Sequence, residues 1–150
     1  QLYSLAIPTE QANATTTKIV LTLPKDFSID SFVPNPGWKR VVAQTGSGES
    51  AVVTQVTWTG GKIPTGEDSL FQFLAQPAKP GTYTFQVEQT YSNGQIVNWN
   101  EPETGANPAP ANTHLIAGGA LSRMKIARTI AAWITAMPKL TSGWKWPFGR

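Results

Sequence analysis

The chain has no cysteine, which rules out disulfides, thiolate metal sites and cysteine nucleophiles, and leaves the compartment open. Its one histidine, His114, follows a proline-rich stretch, where a solvent-exposed role outweighs that of ligand or base. There is no Gly-x-Ser-x-Gly elbow and no pair of carboxylates in a helical metal motif. Catalytic chemistry is therefore thinly provided, and no enzymatic activity is expected. Gln44 to Ser50 is rich in small residues but lacks the Lys-Ser/Thr ending and the following helix of a phosphate cradle. No apolar run reaches the roughly 18 residues that a transmembrane helix needs. No signal peptide precedes Leu2, so the chain is expected to begin inside its domain. Charge is also sparse, at 14% of residues, and unevenly placed. Residues 1 to 117 carry six basic side chains against nine acids, net −3, whereas residues 118 to 150 carry six basic side chains and no acid, net +6. The high isoelectric point belongs to the tail, and nucleic acid is not an expected partner of the folded part.

Turn formers are plentiful. The 150 residues include 13 Gly and 12 Pro with 40% hydrophobic residues, which suits one domain of short strands with appendages. Leu2 to Ile7 and Lys18 to Leu23 alternate, and Pro24 ends the second run. Asp26 to Ser31 is ambiguous. A rigid Pro34-Asn35-Pro36-Gly37 turn feeds a strand from Trp38 to Gln44. Ala51 to Thr59 alternates again, Gly60-Gly61 opens a turn-rich crossover through Pro64-Thr65-Gly66 to Glu67-Asp68, and Ser69 to Gln76 is a buried strand. With the hairpin below, seven strands are expected, and a two-sheet β-sandwich is their natural solution.

Gly81 to Trp99 is the clearest hairpin. Tyr83, Phe85, Val87, Gln89 and Tyr91 share one face at period two. Asn93-Gly94 reads as a two-residue turn. That loop sets Tyr91 opposite Ile96 and Glu88 opposite Trp99, so Trp99 is expected on the other face, beside a carboxylate. Packing is the bland alternative for this aromatic.

Glu101 to Pro110 leaves the sheet and places a domain boundary near residue 110, with 111–150 as linker and tail. Ser122 is placed to cap a helix running to about Met137, with Ile126, Ile130, Trp133, Ile134 and Met137 on one face. This basic amphipathic segment, 121–137, suits contact with an anionic membrane surface, against the alternative of a poorly ordered tail.

The segments ATTTKIVLTLPKDFSIDSFVPNPGWKR, VTWTGGKIPTGEDSLFQF and YTFQVEQTYSNGQIVNW, in this order and spacing, resemble the YcnI-like copper-binding family of exported bacterial proteins. The resemblance implies an immunoglobulin- or cupredoxin-like sandwich that binds one Cu(II) through a mature N-terminal histidine, a carboxylate oxygen and a nearby tryptophan. Nitrogen and oxygen donors are what Cu(II) prefers. Matching the family's motifs makes Glu67 the oxygen ligand and Trp99 the aromatic wall beside the ion. The histidine and its strand then lie upstream of Gln1, leaving 1–110 as a sandwich without its first strand and with weak copper binding of its own. Such a module is extracytoplasmic, membrane-associated, and hands copper to or from a membrane-bound transporter or chaperone. Two other readings stay open: a non-metal β-sandwich interaction module held at the membrane surface, with Trp38, Trp58 and Trp99 as core, and an oxidative copper enzyme.

Overall fold

A computed structural model describes residues 1–114 and 122–126. Its strands are β1 (Leu2–Pro8), β2 (Thr16–Thr22), β3 (Phe27–Phe32), β4 (Lys39–Thr45), β5 (Val52–Ile63), β6 (Asp68–Pro77), β7 (Gly81–Thr84), β8 (Gln86–Tyr91), β9 (Ile96–Trp99), β10 (Ala111–His114) and β11 (Ser122–Lys125). They form a four-stranded sheet in the order β11-β1-β6-β3, a five-stranded sheet in the order β4-β5-β2-β8-β9, and a two-stranded β10-β7 sheet. The all-β sandwich expected from the alternation is present, with more strands than the seven anticipated, β5 and β6 longer than expected and the strand expected up to Tyr91 divided in two.

The central strands turn their apolar alternate positions inward, so Tyr3, Leu5 and Ile7 of β1 meet Phe71, Phe73 and Ala75 of β6 on one inner face. Ile19, Leu21, Val56, Trp58, Val87 and Val97 supply the other. Trp58 and Phe71 join the two sheets at a ring separation of 4.9 Å. Phe27 packs edge-on to Tyr3 at 5.0 Å and to Phe85 at 4.8 Å.

Four local expectations are corrected. First, the hairpin turns through three residues: Tyr91 N–H donates to Gln95 O at 2.9 Å, Gly94 N–H to Tyr91 O at 2.9 Å, and Gly94 takes φ +84°. This is a type I turn closed by a left-handed glycine. The longer loop is held because Ser92 N–H donates to Thr15 O and Ser92 Oγ accepts from Thr15 N–H. Trp99 consequently pairs with Val87, and Glu88 with Asn98. A shift of one residue reverses every facing, so Trp99 points into the core instead of lying beside Glu88. Second, β5 runs through Gly60-Gly61 to Ile63, because Gly60 accepts φ +84° and Gly61 leaves room for the Trp38 ring, which a Cβ would overlap. Third, the long strand expected up to Tyr91 breaks at Phe85, whose N–H donates to Pro110 O at 2.8 Å; β7 pairs with β10, and β8 with β2 and β9. Fourth, Ser122–Lys125, placed at the start of the tail helix, is a strand parallel to β1. Met124 and Ile126 are buried and Lys125 is exposed, which is period two against an edge of β1 that would otherwise be unpaired. The rest of the expected helix, 127–137, lies outside the described residues.

Candidate metal centre

At one end of the sandwich β1 runs out at Pro8, β2 begins at Thr16, and β5 leaves through Ile63 into the crossover. The two loops are clamped backbone to backbone. Thr9 N–H donates to Glu67 O at 3.1 Å and Gly66 N–H donates to Thr9 O at 3.0 Å. Thr65 Oγ1 lies 2.8 Å from Gln11 O and 3.0 Å from Ala14 O, and Gly66 at φ +81° lets the Pro64–Glu67 turn close. The backbone around Glu67 is therefore fixed while its carboxylate is exposed. Asp68, next to it, is ion-paired to Lys125 of β11 at 3.1 Å.

Beneath the clamp lies a buried polar chain. Trp99 and Gln89 are fully buried, as are Thr16 and Thr9. Trp99 Nε1 donates to Gln89 Oε1 at 3.0 Å; Gln89 Nε2 donates to Pro8 O and to Thr16 Oγ1, both at 2.7 Å. Thr9 and Thr16 hydroxyls meet at 2.7 Å, and Thr9 Oγ1 donates to Ile63 O at 2.8 Å. Glu10, half-buried with Oε2 out of contact with solvent, follows Thr9 directly.

Of the residues singled out in the sequence, Glu67 sits at this end with an exposed carboxylate, and Trp99 belongs to the core with its N–H edge turned toward the same end. His114 lies elsewhere. Its backbone pairs with Gly81, just after the Pro77 end of β6, whereas Asp68 begins the opposite end. Nine residues of extended chain separate those ends by about 30 Å. Glu10, Gln89, Thr9 and Thr16 were not singled out. Gln89 did leave a signal, being the one polar residue on the face shared by Tyr83, Phe85, Val87 and Tyr91.

The family profile described as "Domain of unknown function (DUF1775)" matches residues 1–114. The chain belongs to the DUF1775 family. Within that setting it is 36% identical over 111 residues to "Copper-binding protein CutI" of Bacillus subtilis (strain 168), a YcnI-family protein, across 72% of this chain and 52% of CutI. The chain thus spans about half the length of that curated relative. A crystal structure of an uncharacterized protein from Nocardia farcinica, reported to reveal an immunoglobulin-like fold, superposes with a TM-score of 0.55 at 34% identity over 72% of this chain and 83% of that one. The resemblance to the YcnI-like proteins and the immunoglobulin-like sandwich are thereby shown.

The donors of this DUF1775 chain do not by themselves fit a complete copper centre. Among the described residues no three of His, Asp and Glu group closely enough to hold a metal. Glu10 and Glu67 are carboxylates on adjoining loops, and Asp68 is already engaged by Lys125.

Proposed function

We propose that this chain is the sandwich of an extracytoplasmic copper-handling protein, which holds Cu(II) at the Pro8–Thr16 and Pro64–Glu67 end and passes it on without catalysing a reaction. The observation that carries the reading is the similarity to CutI over 111 residues. The clamped loops are consistent with it, since they bring Glu10 and Glu67 to one end above the buried Trp99 edge. Glu67, and Glu10 with its buried oxygen, are the candidate oxygen donors; Trp99 forms the wall. A nitrogen donor, which Cu(II) favours, has to come from outside the described residues. Delivery would be to a membrane-bound transporter or chaperone; the membrane contact expected of 121–137 does not carry over, because Met124 and Ile126 are buried against β1.

The test is Cu(II) titration followed by electron paramagnetic resonance, on this chain and on one extended upstream to the expected N-terminal histidine. A stoichiometric type-2-like signal with nitrogen coupling in the extended chain, weakened by Glu67→Ala or Glu10→Ala, is the expected result. No specific signal in either chain would overturn the reading. The rival, a non-metal interaction module, draws on the edge strand β9, where Ile96 is 52% exposed. It predicts a protein or glycan partner lost on Ile96→Lys, with no copper signal.

A further inference from the structure

We propose that Gln89 is the positioning residue of this end of the sandwich, setting the direction of the Trp99 indole and holding the Pro8–Thr16 loop and the crossover in register. It rests on the copper reading for what that end is positioned to do.

Each proton of the buried chain has one possible assignment. An indole N–H can only donate, so the Gln89 atom 3.0 Å from Trp99 Nε1 is the carbonyl oxygen. Pro8 offers only a carbonyl oxygen, so the atom facing it at 2.7 Å is the amide nitrogen. Both neighbours demand the same amide orientation. Thr9 has one hydroxyl proton, and the Ile63 oxygen at 2.8 Å can only accept it. In the 2.7 Å contact between Thr9 and Thr16 the donor is therefore Thr16. Thr16 Oγ1 in turn accepts the second amide proton of Gln89 at 2.7 Å. Every proton then runs one way, from Trp99 to Gln89, Thr16, Thr9 and Ile63 O, with a branch from Gln89 to Pro8 O.

This chain joins β9, β8 and β2 to the exit of β1 and the end of β5. It terminates where the crossover departs and passes through Thr9, whose backbone holds Gly66 and Glu67 and precedes Glu10. Gln89 is the branch point, with all three of its bonds buried. Stability alone calls only for a donor to Pro8 O, a backbone carbonyl that no substitution removes, and not for an amide that also engages an indole and a hydroxyl. Direction does call for one: an apolar side chain cannot choose among indole orientations, or bind a hydroxyl and a backbone carbonyl in fixed geometry.

Two substitutions separate this role from simple packing. Gln89→Glu retains an acceptor for Trp99 and loses the amide donors; Thr16→Val cuts the chain one step later and leaves the Trp99–Gln89 bond. Each is made in the form that gives the wild-type Cu(II) signal, with folding checked by near-ultraviolet circular dichroism. The readouts are the Trp99 indole resonance without metal and the Cu(II) affinity and resonance spectrum. The expected result is a displaced indole resonance in Gln89→Glu only, at least a tenfold loss of Cu(II) affinity with altered copper hyperfine structure in both, and recovery in Thr16→Ser, which restores the hydroxyl. Should Gln89→Glu fail to fold, the Thr16→Val and Thr16→Ser pair decides. Wild-type copper binding with an unchanged spectrum in either folded variant overturns the role of Gln89 alone. A wild-type protein with no specific Cu(II) signal overturns the copper reading and this inference with it.

Discussion

Gly61 and Trp38 are legible in the sequence as turn punctuation and an aromatic, and become interdependent only when folded. The Trp38 ring occupies the space of a Gly61 side chain, so Gly61→Ala forces two groups into one volume. Overpacking of this kind costs about 1–3 kcal/mol. Chemical denaturation should show that loss, and the loss should shrink in a Trp38→Leu background because the clash is what couples the pair. An equal loss in both backgrounds would place the strain in the backbone. Tyr3 behaves as a buried acid. Burial, and secondarily the nearby Tyr83, raise its phenol above the usual range. Folding therefore favours the protonated form. Its contribution to stability is complete below the unfolded tyrosine value of about 10 and is lost as pH rises through the higher folded value. Denaturation at stepped alkaline pH should show a decline that Tyr3→Phe reduces; an identical decline in both would assign it to other groups.

At the scale of the element, the strands were legible wherever alternation and turn residues agreed, as in β1, β2, β6 and β8. Loop length was not, because Asn93-Gly94 satisfies both a two-residue turn and the end of a three-residue one. The bonds between Ser92 and Thr15, which join distant parts of the chain, favour the longer loop and so bury Trp99. β11 teaches the same lesson from the other side. Ser122–Lys125 fits a helical face by sequence, but beside an open β1 edge it reads at period two, with Met124 and Ile126 inward. Met124→Asp should detach β11 and raise amide exchange along β1, while β5 stays protected. Lys125→Ala, which removes only the exposed ion pair to Asp68, should change stability by less than about 1 kcal/mol. Unchanged β1 exchange in Met124→Asp would mean that β11 contributes nothing to the edge.

For the whole molecule, the copper reading makes a thermodynamic demand, since a ligand that binds only the folded state must stabilise it. With free Cu(II) at about a hundred times its dissociation constant, the metal-competent form should gain about 2.7 kcal/mol. Thermal unfolding with and without Cu(II) measures this, and a midpoint that does not move would contradict a specific site. Alternation, turn residues and the segregation of charge are properties of neighbouring residues, so the sequence by itself determined the all-β class, the inward face of β8 and the acidic body with its basic tail. It also marked Glu67 through the family motif. Only the tertiary structure decided that Trp99 faces inward, that Glu10 lies beside the crossover, and that Gln89 is the branch point between them. The bonds responsible pair residues as far apart as Pro8 and Gln89, and Thr16 and Gln89. Local periodicity says which side chains share a face; only contacts between distant segments choose the register and the partner that each buried polar group must find.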